Sequence, residues 1–220
     1  MPIGQYVRTY TAMDDCGNSS TFVQILNLTD MVAPTFDSVP ADYTIECDQA
    51  IVYDEATASD NCSGAEVTVE EEIFAGDCPQ TYQIVRTFTA VDNCDNATTA
   101  IQTITVQDAT APEFTSVPAD YTVECSDEMP MDDAMASDNC GAVEITVMSE
   151  TTAGDCTGNY TITRTFTAMD DCGNSSMATQ TITVQDTTAP MLSIPADYTA
   201  ECDEELVFDD ASATDNCGTV

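Results

Sequence analysis

The chain has no histidine, no lysine and no tryptophan, and only three arginines stand against 40 acidic side chains. Without His and Lys it lacks the commonest general base, the amine that forms Schiff bases and the usual cation of a phosphate-binding loop. Histidine-type zinc sites are impossible, and no Cys-x-x-Cys pair supplies the thiolate type. A net charge of −37 repels nucleic acid, whose phosphates need clustered Lys and Arg, and it repels anionic membranes by the same sign argument. No apolar run approaches the roughly 18 residues that would span a bilayer. Met1-Pro2-Ile3-Gly4 shows neither a basic segment nor an apolar one, so no signal peptide is legible there.

What is present argues against disorder. Hydrophobic residues make up 43% of the chain, and Val, Ile, Tyr, Phe and Thr, all strand formers, are plentiful. Eleven cysteines without metal-site spacing point to disulfides and an oxidising compartment.

The cysteines reveal a repeat. Cys16, Cys94 and Cys172 are 78 residues apart, as are Cys47 and Cys125, Cys62 and Cys140, and Cys78 and Cys156. Cys125 to Cys202 and Cys140 to Cys217 are each 77. The intervening text repeats as well: SVPADYT at 38–44 and 116–122, RTFTA at 86–90 and 164–168, TAMDDCGNSS at 11–20 and 167–176, QTITVQD at 102–108 and 180–186. The predicted domains are the end of one repeat (1–32), two whole repeats (33–110 and 111–188) and the start of another (189–220). Both ends fall inside a repeat, so the protein is expected to continue beyond them.

Within a repeat the pattern alternates with period two and shows no helical period. In the third repeat Tyr160, Ile162, Phe166 and Ala168 share one parity, and Thr161, Thr163, Thr165 and Thr167 share the other. Turn signals at 138–141, 153–155 and 172–174 separate the runs. About seven short strands per repeat fit a small sandwich of immunoglobulin type. The predicted fold is therefore all-β, a tandem array of immunoglobulin-like antiparallel β-sandwich domains of 78 residues with two disulfides each. The threonine parity predicts a cross-strand ladder. Arg8, Arg86 and Arg164 recur once per repeat; Arg164 shares the inward parity and so needs an acidic or carbonyl partner. The Glu of each Glu-Cys pair (Glu46, Glu124, Glu201) is one candidate, although its own parity opposes it.

Four cysteines per repeat allow three pairings. In an immunoglobulin-like topology Cys125 and Cys156 fall at one pole, Cys140 and Cys172 at the other. The favoured expectation is Cys47–Cys78 with Cys62–Cys94, and Cys125–Cys156 with Cys140–Cys172. Sequential pairing, Cys47–Cys62 with Cys78–Cys94, is the alternative.

The segments VPADYTVEC, ASDNCG, RTFTAMDDCGNSS and QTITVQDTTAP resemble the hyalin-repeat and immunoglobulin-like tandem repeats of large bacterial cell-surface adhesins, as in Bacteroidetes. The resemblance covers nearly the whole chain. It implies an extracellular role in adhesion or in spacing a binding tip from a cell. The second repeat departs from the pattern, with Asp95 where Gly stands elsewhere, which suggests that a tight glycine turn is not obligatory there.

Chemistry is expected at the junctions, which read Asp30 to Pro34, Asp108 to Pro112 and Asp186 to Pro190. They lack a Gly/Ser-rich spacer, so successive domains should sit close together. The loops of the following domain bring Asp60-Asn61, Asp138-Asn139 or Asp215-Asn216, with Asp92, Asp170 and Asp171 near the same pole. Converging carboxylate and amide oxygens suit calcium, so Asp30, Asp60, Asn61, Asp108, Asp138, Asn139, Asp186, Asp215 and Asn216 are the candidate ligands. The alternative is that these are solvated turn residues, since Asp and Asn favour turns in any case. No catalytic group is expected. Three functions compete: a structural segment of a long extracellular adhesin or stalk, a subunit of an assembled extracellular filament, and the spacer of a secreted enzyme. The expected partners are neighbouring repeats, other copies in a filament, and a surface or glycan target.

Overall fold

A computed structural model describes residues 2–62 and 64–218. Among them every regular element is a strand. The chain divides into two compact units, one ending at Ala109 and the other starting at Thr110.

The first unit opens with the hairpin β1 (Pro2–Met13) and β2 (Ser19–Thr29), which among the described residues pair with each other alone. The second repeat then folds as β3 (Thr35–Ser38), β4 (Tyr43–Glu46), β5 (Thr57–Ser59), β6 (Ala65–Ala75), β7 (Tyr82–Asp92) and β8 (Ala97–Gln107). β3 and β5 form a short antiparallel pair, and the rest form a sheet in the order β4-β8-β7-β6. The second unit repeats this plan with β9 (Glu113–Ser116), β10 (Tyr121–Glu124), β11 (Met135–Ser137), β12 (Val143–Ala153), β13 (Tyr160–Asp170) and β14 (Ser175–Gln185). The pair β15 (Met191–Ser193) and β16 (Ser212–Thr214) follows.

Each whole repeat therefore has six strands rather than about seven. Its larger sheet is mixed, because β4 runs parallel to β8 and β10 runs parallel to β14. The segments 48–56 and 126–134, between the short strands, contain no further strand.

The alternation read from sequence is the burial pattern. On β7, Ile84, Arg86, Phe88, Ala90 and Asp92 are buried, and Gln102, Ile104 and Val106 of β8 face the same interior. In the second unit Ile162, Ile182 and Val184 form the matching core, with Tyr121, Val123, Met129 and Tyr160 packed against it. The opposite parity is the threonine ladder, with Thr161, Thr163 and Thr165 of β13 facing Thr183, Thr181 and Thr179 of β14.

The inward-facing arginine is a clamp. Arg86 donates from Nη1 to Gln102 Oε1 and to the Asp54 carbonyl, both at 2.9 Å, and from Nε to Glu71 at 3.0 Å. Gln102 donates in turn to the Ala41 carbonyl at 2.8 Å. Arg164 makes the same bonds to Gln180 and to the Asp132 carbonyl, at 2.9 and 2.8 Å. The partner is thus a glutamine on the adjacent strand plus a loop carbonyl, not the Glu of the Glu-Cys pair.

Candidate functional site

Three hairpin turns share one construction. Asp92 Oδ1 accepts the N–H groups of Cys94 and Asn96 at 2.8 and 2.9 Å, and its Oδ2 accepts the Asn96 side-chain amide at 2.7 Å. Asp170 with Cys172 and Asn174, and Asp14 with Cys16 and Asn18, do the same. Burial raises the Asp92 and Asp170 carboxyls, but the bonds from the Asn and Cys groups outweigh it and hold both below their ordinary value. Gly17 and Gly173 occupy the left-handed position of this turn, at φ +86° and +90°. Asp95 occupies it in the second repeat at φ 65°. The left-handed turn is therefore kept where glycine is absent, which Asp tolerates better than most residues.

Most of the predicted ligands cap their own loops. Asp30 Oδ1 accepts the Val32 N–H at 3.1 Å, and Asp60, Asp138 and Asp215 accept the N–H two residues on, from Cys62, Cys140 and Cys217, at 2.9, 2.8 and 2.9 Å. Asp186 Oδ1 accepts the Thr188 N–H at 3.1 Å. Asp108, half-buried, lies just past the end of β8. Asn61 and Asn139 direct their amide nitrogens at the sulphurs of Cys62 and Cys140, both at 3.1 Å, and Asn216 donates to Ser126 Oγ at 3.1 Å.

One predicted pair does converge. In the first unit Asp30, Asp60 and Asp92 each place a carboxylate oxygen within 4.8 Å of the others. Asp30 and Asp92 are buried, and Asp60 is half-buried. Asp92, placed near this pole by sequence but not counted as a ligand, is the third member; its signal was the Asp-x-Cys-x-Asn turn motif. Cys62 lies beside the cluster. Burial first, then the charges of Asp30 and Asp60 and its contact with the Asp30 carboxylate, push its thiol up.

In the second unit Asp186 gathers with Glu124, Cys125 and Cys217. This group cannot offer thiolates, because Cys125 and Cys217 are disulfide-bonded to each other, with Cα atoms 5.8 Å apart. Glu124 grips the following linker through the Thr187 N–H, the Thr187 hydroxyl and the Thr188 hydroxyl, at 2.9, 2.9 and 3.1 Å. Those bonds, the Thr187 N–H foremost, hold its carboxyl below the ordinary value.

The Cys125–Cys217 bond corrects the expected pairing. Cys125 does not join Cys156 of its own repeat; Cys156 is an exposed thiol, pushed up by burial and then by the Asp155 and Asp186 charges. The 213–217 loop belongs to the next repeat, and it reaches the pole where β10 and β14 end. There Gly158 leaves room for it, since a Cβ at 158 would lie 3.0 Å from the Cβ of Cys217. The expected Cys62–Cys94 bond is also not formed, because Cys62 is a thiol. Cys47, Cys78, Cys140 and Cys172 are each disulfide-bonded.

Residues 114–184 match the family model of the HYR-like domain with 4 cysteines. That HYR-like span holds Cys125, Cys140, Cys156 and Cys172. The chain is 32% identical over 206 residues to hyalin of Lytechinus variegatus, covering 86% of this chain and 38% of that protein. It is 28% identical over 241 aligned positions to hyalin of Strongylocentrotus purpuratus, covering 98% of this chain and 20% of that protein. The chain thus spans well under half of either relative. Among solved structures, that of protocadherin gammaB7 EC3-6 aligns with a TM-score of 0.37 at 15% identity, over 98% of this chain and 69% of that one. The HYR-like match and the two hyalins support a relationship to hyalin-type repeats, and the disulfides indicate an extracellular protein. No helix is long and apolar enough to cross a membrane among the described residues.

Proposed function

We propose that the chain is a structural segment of a long extracellular adhesin or stalk, of the kind found in large bacterial surface proteins, built from stiff, disulfide-braced tandem repeats that bind calcium at the loops between them. The observation that carries this reading is the covalent bond from Cys125 of one repeat to Cys217 of the next. A bond across a junction restrains the interdomain angle, as a bond inside a domain does not. Glu124 adds to the restraint by holding the two residues that start the linker. Its partners are the neighbouring repeats and a surface or glycan target. Electron microscopy of the oxidised and the fully reduced protein tests the reading. Straight particles that become bent and variable on reduction are expected; equal flexibility in both states would remove its basis.

A further inference from the structure

The acidic loops are numerous, and most of them are explained by the turns they cap. Asp30, Asp60 and Asp92 cap turns too, but turn capping does not account for three carboxylates meeting in one place. Asp30 is 8% exposed and Asp92 is 5% exposed, so water screens neither well. Each carboxylate is pinned from behind by backbone N–H groups: Val32 on Asp30, Cys62 on Asp60, and Cys94 and Asn96 on Asp92. The side chains therefore cannot swing apart to relieve their repulsion. Arg86, the cation of the same repeat, is committed to Glu71, Gln102 and the Asp54 carbonyl. Most telling is Asp30 Oδ2, a buried carboxylate oxygen with no hydrogen-bond partner. The Cys62 thiol beside it is a weak donor at best. A buried, unpartnered anionic oxygen is costly, and two further carboxylates within 4.8 Å add to that cost.

We propose that Asp30, Asp60 and Asp92 hold one calcium-class divalent cation, which ties the end of the first repeat to two loops of the second. The inference deepens the proposed function, resting on its calcium reading and assigning a ligand set. Three hard oxygen donors and no imidazole suit calcium, which completes its shell of about 6–8 oxygens with carbonyls and water. Magnesium, which demands a tight octahedron, fits a set pinned by turns less well.

The test titrates calcium chloride into the 220-residue chain and its Asp30→Asn variant by calorimetry, with melting followed in parallel. Asparagine keeps the oxygen that accepts the Val32 N–H, so the variant should fold, and its melt confirms that it does. Two changes of opposite sign are expected. Without calcium the variant melts higher than the parent, because the unpartnered charge is gone. With calcium the parent gains more than the variant, which loses one bound ion per chain or binds it at least tenfold more weakly. If the parent binds calcium and the variant matches it in number and affinity, the ligand set is wrong while the calcium reading stands. If the parent binds none, both fall. A variant that melts lower than the parent without calcium would also overturn the proposal, since Asp30 would then be satisfied by the protein itself.

Discussion

At the scale of single residues, the turn aspartates matter most. Asp14, Asp92 and Asp170 are held below the ordinary value of 3.8, and Glu124 below 4.5. The folded chain therefore binds fewer protons than the unfolded one in the acid range. The stability these groups contribute is full above the ordinary carboxylate range and is lost as pH falls through their lowered values. In high salt, where general repulsion among the acids is screened, melting temperature should fall as pH drops below about 4. Asp170→Asn should flatten that fall; an unchanged slope would show that the turn bonds do not favour the ionised form. Asp95 makes a second case. It sits at φ 65° where the other repeats have glycine, so Asp95→Gly should stabilise the second repeat by up to about 1 kcal/mol. Chemical denaturation reads this directly, and a loss of stability would contradict the turn assignment.

At the scale of elements, the strand pattern was legible because burial follows parity. The parity of Ile162, Arg164, Phe166 and Ala168 placed the arginine in the interior, and the threonines fell into their ladder. The arginine's partner was not legible. Gln102 lies 16 residues from Arg86 and is polar, so nothing local marks it as buried; only the β7–β8 register brings the two together. The parallel β4–β8 pair was hidden for the same reason, since a strand of four residues does not announce its neighbour. The natural variation tests the clamp. Ser149 stands opposite Arg164 where Glu71 stands opposite Arg86, so the ion pair is dispensable. Glu71, 41% exposed, should cost under about 1 kcal/mol on change to Ser. Arg86→Ala should cost about 3 kcal/mol or more, because it leaves the buried Gln102 and the Asp54 carbonyl without their donor and opens a void. Comparable small losses for both variants would contradict the clamp.

At the scale of the whole molecule, the repeat and its four cysteines could be read directly, but the pairing could not. An isolated immunoglobulin-like sandwich closes its bonds internally, and that expectation fails once the pole carrying Cys125 is covered by the next repeat. The acidic residues are a similar case. Of those singled out in the sequence, Asp30 and Asp60 come together, Asp92 joins them only through the fold, and the Asn side chains turn toward sulphur or serine. The inter-repeat bond closes a loop of 92 residues, so Cys217→Ser should destabilise the second unit by about 2–4 kcal/mol. The most direct measurement is peptide mapping of the unreduced protein after digestion with free thiols blocked. A peptide joining Cys125 to Cys217, with Cys156 recovered alkylated, is the predicted result. A peptide joining Cys125 to Cys156 would contradict it and return the chain to independently closed domains.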